Sequence, residues 1–311
     1  MSTVCLICLG QGAGENGYHS RCAKSLFGSN IVPELDLEEG MVQTAGLAMA
    51  GRSSLSGVQK KISVKISHDR RTFLVATDGG RYVLKPQTGT FPNLPEIEHT
   101  TMQIAQAVGV ETALNGLMRL RDGVLAYVTK RFDRRDDGSK VRQEDFCQLA
   151  QKRPSEKYEG SAELCVRVVK KFASEPGIEL VKLFRQLMFS WWIGNGDLHL
   201  KNLSLLVDPE GIIRLTPAYD LLSTRLVIPD DELAMPVCGK DRKLKHTHWL
   251  DLASYAGIQT KAAQRVLNDQ IKALPASLVL VEQSYLNKQM KQSLGELLRT
   301  RTEVLAQLNA N

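Results

Sequence analysis

Among the oxygen-bearing side chains between Ile193 and Asp220, three, Asp197, Asn202 and Asp220, are spaced around two short apolar runs. Leu203-Ser204-Leu205-Leu206-Val207 and Ile212-Ile213-Arg214-Leu215 flank Asp208-Pro209-Glu210-Gly211, whose composition is that of a turn. The pattern predicts a hairpin. A hairpin returns the chain to where it began, so Gly196-Asp197 and Tyr219-Asp220 are expected to meet. A lone Asp after a glycine is ordinarily a turn residue. Three such groups gathered by one hairpin can do more: a carboxylate orients a hydroxyl, and carboxylate and amide oxygens hold a hard divalent cation.

An Asp, an Asn five residues later and a second Asp further on are the order in which protein kinases supply the catalytic carboxylate and the two magnesium ligands. Asp197 is the candidate catalytic residue, and Asn202 and Asp220 are the candidate ligands for Mg2+. Leu221-Leu222 follows Asp220 where ordinary kinases have Phe-Gly. Upstream, Ile62–Ile66, Phe73–Ala76 and Arg81–Lys85 alternate as strands do, with Gly79-Gly80 as a turn and Pro86 as a stop. Lys85 at a strand end is the candidate for the ATP phosphates, against the alternative of an exposed strand lysine. A helix is expected from Pro95 to Gly109, with Glu98, Met102, Ala105 and Val108 on one face. Glu98 is the candidate partner of Lys85, with Glu96 as the alternative. Ser53-Ser54-Leu55-Ser56-Gly57 is the candidate phosphate-covering loop, since small residues let backbone amides approach phosphate.

Further strands are expected at Gly116–Leu120 and Val124–Thr129, and helices at Ala162–Phe172, Leu180–Ile193 and from Trp249 onward. The predicted fold class is α+β, a two-lobed protein-kinase-like fold. Residues 1–130 form a small, mainly β N-lobe and residues 131–311 a large, mainly α-helical C-lobe. With 43% hydrophobic and 24% charged residues the composition is globular. No apolar run approaches the roughly 18 residues of a membrane span. The start of the chain lacks a signal-peptide pattern, so a cytoplasmic location without membrane contact is expected. The net charge of +6 is a mild excess that fits a solvated basic surface.

Cys5-x-x-Cys8 followed by His19-x-x-Cys22 has the form of a zinc site with three thiolates and one imidazole. The alternative is a set of reduced, packing thiols. Cys147, Cys165 and Cys238 fall in helical or core segments and are read as inert. Trp191-Trp192 is read as core packing, ahead of a stacking platform for nucleic acid.

Six stretches in order resemble the HipA-type serine/threonine kinase toxins of bacterial toxin–antitoxin systems. They are Ser54–Lys61, Tyr82–Pro86, Lys130–Arg134, Gln143–Gln148, Gly196–Asn202 and Leu215–Asp220. The Ser-x-Ser of Ser54 and Ser56, and the roughly fifty residues before the loop, are similar to the short HipT form. The resemblance implies an ATP- and Mg2+-dependent kinase that autophosphorylates at Ser54 or Ser56 and halts translation by phosphorylating an aminoacyl-tRNA synthetase. It implies nucleotide contacts from Ser54, Ser56, Gly57, Lys85, Lys130, Phe132, Gln143, His199, Tyr219 and Asp220. The partners it implies are a small HipS-like protein and a HipB-like antitoxin, through which alone DNA is engaged. Zinc is not part of what the family implies. Small-molecule kinases of the aminoglycoside or lipid type share a similar catalytic loop and are the alternative; a pseudokinase or repressor subunit ranks last.

Overall fold

The computed structural model describes residues 3–35 and 61–307. The Ser/Gly loop with Ser54, Ser56 and Gly57 lies outside the described residues. The chain divides into two compact units. Of the described residues, the first unit takes in 3–35, 61–103, 113–140 and 282–286, and the second 104–112, 141–281 and 287–307.

The first unit is built on an antiparallel sheet of β1 (Ile62–Ile66), β2 (Phe73–Val75), β3 (Tyr82–Pro86), β4 (Asn115–Arg119) and β5 (Leu125–Lys130), in the order β2-β1-β3-β5-β4. Alternation decides the faces: Ile62 and Val64 are buried while Ser63 and Lys65 are not. Phe73 and Tyr82 pack with Phe27 at ring-centroid distances of 5.2–6.4 Å. Phe27 ends α1 (Ser20–Phe27), a short helix beyond the elements expected from the sequence. Its buried residues Cys22, Ala23, Leu26 and Phe27 recur at helical spacing, a short period overlaid by the Cys/His pattern.

Helix α2 (Leu94–Ala107) is buried all round from Ile97 to Ala105, so Glu98, Met102 and Ala105 are not set apart as the one buried face that their spacing suggests. It ends where Val110 N–H bonds back to Ala105 O and Gly109 takes φ 79°.

The second unit carries a small sheet of β6 (Gln143–Asp145), β7 (Ser204–Val207) and β8 (Ile213–Leu215), with β7 central. The β7–β8 hairpin pairs Leu205 with Leu215, as the turn composition required. Most of the unit is helical: α3 (Phe146–Leu149), α4 (Ala162–Phe172), α5 (Pro176–Ile193), α6 (His246–Ala256), α7 (Thr260–Lys272), α8 (Leu274–Gln283) and α9 (Lys288–Ala306). Helix α5 starts four residues before the expected Leu180, because Pro176 sits in its first turn, where no intrahelical N–H is needed. Trp192 is fully buried and donates its indole N–H to Thr302 on α9 at 2.9 Å. That satisfied burial makes it a core residue, not a stacking surface. The fold is α+β, with a sheet-based unit and a helical one.

Candidate active site

Helix α5 delivers the chain to Asp197. Gly194 ends it at φ 78°, in the left-handed region where a side chain is strained. A Cβ on Gly196 would collide with the Asp231 carboxylate and the Glu232 carbonyl, so only glycine fits there. Asp197 N–H donates to Asn195 Oδ1 at 3.0 Å, which holds the turn.

Asn202 closes the single 3-10 turn Leu200–Asn202 and is buried. Its Nδ2 donates to Asp197 O at 3.0 Å. With the nitrogen committed to the main chain, the carboxamide oxygen is what Asn202 offers to a cation. Asp220 follows β8 with φ 58°, a conformation that Asp tolerates better than most residues and that recurs at functional positions.

Side chains on both flanks of Asp220 tie it to this turn. The Tyr219 hydroxyl donates to Lys201 O at 3.0 Å and lies 2.6 Å from Ser204 Oγ. Ser223 Oγ donates to Ile193 O at 2.6 Å, and Gly196 N–H donates to Thr224 Oγ1 at 2.8 Å. The segment before Asp220 is therefore docked on the turn bearing Asn202, and the segment after it on the turn bearing Asp197. The Asn202 carboxamide oxygen and the Asp220 carboxylate are hard donors, of the kind that fits Mg2+ and not a thiophilic metal.

One residue here had no sequence signal. The Tyr158 hydroxyl donates to Asp197 Oδ1 at 2.5 Å, and its ring meets the buried His199 edge-on at 5.0 Å. Tyr158 sits in an irregular segment 39 residues upstream, where neither periodicity nor motif marks it. Lys201 pairs with Asp145 at 2.8 Å, and Asp145 in turn caps α3.

Lys85 and Glu98 belong to the first unit. Lys85, opposite Tyr127 in the β3–β5 register, donates from Nζ to Glu98 Oε1 at 2.6 Å. Both are almost fully buried, at 3% and 1% exposure. Glu96 accepts instead from Asn93 Nδ2 at 3.2 Å. Lys130 closes β5, its N–H bonding Leu114 O, and Phe132 follows it. Gln143 opens β6 opposite Leu206 in the second unit.

Beside Glu98, His99 is completely buried and its Nε2 lies 2.8 Å from Ile7 O. Burial drives its pKa down to about 4, against a smaller opposing push from that hydrogen bond. The unfolded chain takes up this proton near pH 6.5, whereas the folded chain resists it until about pH 4. The neutral ring's contribution is thus complete above pH 6.5 and lost as pH falls toward 4, a total of about 3 kcal/mol. Denaturant unfolding of the wild type and His99→Gln between pH 7 and 4 is expected to show a shallower acid loss in the variant. Parallel curves would remove His99 as the cause.

At the start of the same unit, the ligand atoms of Cys5, Cys8, His19 and Cys22 all lie within 4.8 Å of one another. Cys147 and Cys165 are buried, and burial raises both thiols. Cys238 is half-buried, its thiol pushed up to about 11 chiefly by desolvation.

The HipA-like C-terminal domain model matches residues 53–278. The chain belongs to the HipA-like C-terminal domain family. Among curated relatives it is 30% identical over 243 residues to "Putative kinase Y4mE" of Sinorhizobium fredii, covering 74% of this chain and 57% of that one. A second S. fredii protein, "Putative kinase Y4dM", is 33% identical over 67% of this chain and 54% of its own length. The chain thus spans about half the length of the curated relatives it matches. Among solved structures, a chain of the Shewanella oneidensis MR-1 toxin–antitoxin complex of HipA, HipB and operator DNA aligns with TM-score 0.69 and 20% identity, over 81% of this chain and 65% of that one. The Helicobacter pylori proinflammatory kinase CtkA aligns with TM-score 0.53 and 13% identity, over 72% and 86%. At such identities the two structures establish a shared kinase-like fold. Among the described residues no helix is long and apolar enough to cross a membrane.

Proposed function

We propose that this HipA-family chain is an ATP-dependent protein serine/threonine kinase that acts as a growth-arresting toxin of the HipT-like type. The observation that carries the reading is the cross-linked pair of turns holding Asp197, Asn202 and Asp220. In this reading Asn202 and Asp220 would hold Mg2+, which would supply positive charge beside the phosphates of bound ATP. Asp197 accepts a hydrogen bond from the acceptor hydroxyl and takes its proton as that oxygen bonds to the γ-phosphorus. The bond from phosphorus to the bridging oxygen breaks, and ADP leaves. Lys85, oriented by Glu98, holds the α- and β-phosphates. The family resemblance supports Lys130, Phe132, Gln143, His199 and Tyr219, with Ser54, Ser56 and Gly57, as nucleotide-contacting residues.

Ser54 and Ser56 are the proposed autophosphorylation sites. A phosphoserine there brings almost two negative charges beside the ATP phosphates and opposes rebinding. The family resemblance supports an aminoacyl-tRNA synthetase as the target, and HipS-like and HipB-like partners as the regulators. Incubation of the purified chain with Mg-ATP and, in parallel, aminoacyl-tRNA synthetases, aminoglycosides or lipids, followed by phosphopeptide mapping and product analysis, tests the reading. Phosphate is expected on Ser54 or Ser56 and on a serine of a synthetase. Phosphate on aminoglycosides or lipids, with none on protein, would turn the assignment to a small-molecule kinase.

Tyr158 gives this reading a finer consequence. Its phenol occupies one Asp197 oxygen, the acceptor that an incoming hydroxyl needs. Tyr158→Phe is expected to lower KM for the protein substrate about threefold to tenfold, in keeping with one charge-assisted hydrogen bond partly replaced by water. An increased KM in steady-state kinetics would make Tyr158 a substrate contact instead of a competitor.

A further inference from the structure

The kinase reading leaves one constellation unused. Cys5 and Cys8 sit on a tight loop closed by Cys5 N–H to Gly10 O at 2.9 Å and Leu9 N–H to Cys5 O at 3.0 Å. His19 and Cys22 lie three residues apart at the start of α1, and so on one face. Cys8 Sγ is 3.3 Å and Cys22 Sγ 3.8 Å from His19 Nδ1. A tetrahedral zinc with its usual sulfur and nitrogen bond lengths sets that edge at about 3.6 Å.

The surroundings support the ligand set. His19 Nε2 lies 3.0 Å from Gln11 O, a hydrogen bond that puts the proton on Nε2 and leaves the Nδ1 lone pair facing the thiols. His19 N–H points at Cys5 Sγ, 3.5 Å away. A Cβ on Gly10 would press on Cys8 Sγ and His19 Cε1 at 3.3 Å each, so the loop is narrowed around these atoms. Cys5 and Cys22 are buried.

The loop is also wired into the unit's core. Between the two thiols of Cys5 and Cys8, Leu6 O accepts from Leu117 N–H of β4 at 2.7 Å, and Ile7 O lies 2.8 Å from His99 Nε2. His99 is the neighbour of Glu98 on α2, and Glu98 holds Lys85. Tyr18, next to His19, donates its hydroxyl to Leu117 O at 2.8 Å. Four protein ligands leave no open position for chemistry, which makes this a structural and not a catalytic metal site.

We propose that Cys5, Cys8, His19 and Cys22 bind one structural Zn2+ that clamps the N-terminal loop onto strand β4 and helix α2. Metal analysis of the purified full chain is expected to find about one zinc per chain. Titration of its thiols with an organomercurial should release that zinc to a colorimetric chelator. Cobalt exchanged into the wild-type chain should show the charge-transfer and ligand-field bands of a tetrahedral thiolate site, and Cys8→Ser/Cys22→Ser should show neither zinc nor these bands. Zinc well below one per chain with all six cysteines reduced overturns the proposal. So does iron in its place, an octahedral cobalt spectrum, or a disulfide between any two of the four. For the clamp, zinc removal is expected to speed hydrogen exchange in the first turns of α2 by about tenfold or more. Unchanged exchange there overturns the clamp while leaving the metal. None of these readouts involves phosphoryl transfer, so the zinc site and the kinase reading stand or fall separately.

Discussion

Asp197→Asn is expected to lower phosphoryl transfer by about 10²–10⁴-fold, the usual contribution of a positioned general base. The substitution keeps the shape of the side chain. Two bonds that define the turn run through the main chain of residue 197, from Asp197 N–H to Asn195 Oδ1 and from Asn202 Nδ2 to Asp197 O. Both survive. The Tyr158 hydroxyl still finds a carbonyl oxygen to donate to, at the position where it now meets Oδ1 at 2.5 Å. The loss is therefore chemical: an amide cannot accept the proton that the acceptor hydroxyl gives up. Single-turnover labelling with Mg-ATP, beside a melting curve and an ATP titration, reads this directly. Near wild-type labelling by a folded, ATP-binding variant would remove Asp197 from the reaction.

The second large effect belongs to the buried pair in the first unit. Lys85→Met removes the ammonium that pairs with Glu98, itself 1% exposed, and removing one partner of a buried ion pair costs about 3–5 kcal/mol of stability. Replacing both partners behaves differently. Lys85→Met/Glu98→Met removes two desolvated charges together, and such swaps are often close to neutral. The double variant is expected to recover most of the lost stability while ATP affinity stays at the level of the single variant. Denaturant unfolding and calorimetric ATP titration of the set separate the two roles. An ATP affinity that returned with stability would mean that Lys85 serves only the fold of its sheet.

Much of this was readable residue by residue. The alternation of Ile62–Ile66 placed β1 at those same bounds, and Ala162–Phe172 is helical as its spacing required. The helix after Pro95 was legible too, but the single buried face of Glu98, Met102 and Ala105 was not: α2 is buried all round from Ile97 to Ala105. The hairpin between Asn202 and Asp220 was legible as well, and it forms as β7–β8. Other features left no trace. Tyr158 carries nothing in its neighbours to mark it as the donor on Asp197. The strand β6 is three residues long, and it exists because β7 supplies its partners. His99 looks like an ordinary helix residue until Ile7, 92 positions away, is seen at its ring.

Sequence by itself determined the local conformations, the chemical repertoire and the family, because backbone preference, side-chain periodicity and motif order are set within a few residues of each position. Only the tertiary structure decided which groups meet: Lys85 with Glu98 and not Glu96, Tyr158 on Asp197, and the three thiols and one imidazole of Cys5, Cys8, Cys22 and His19 in one cluster. Those choices rest on burial and on hydrogen bonds between distant segments. Their energies arise only when packing excludes water from both partners at once.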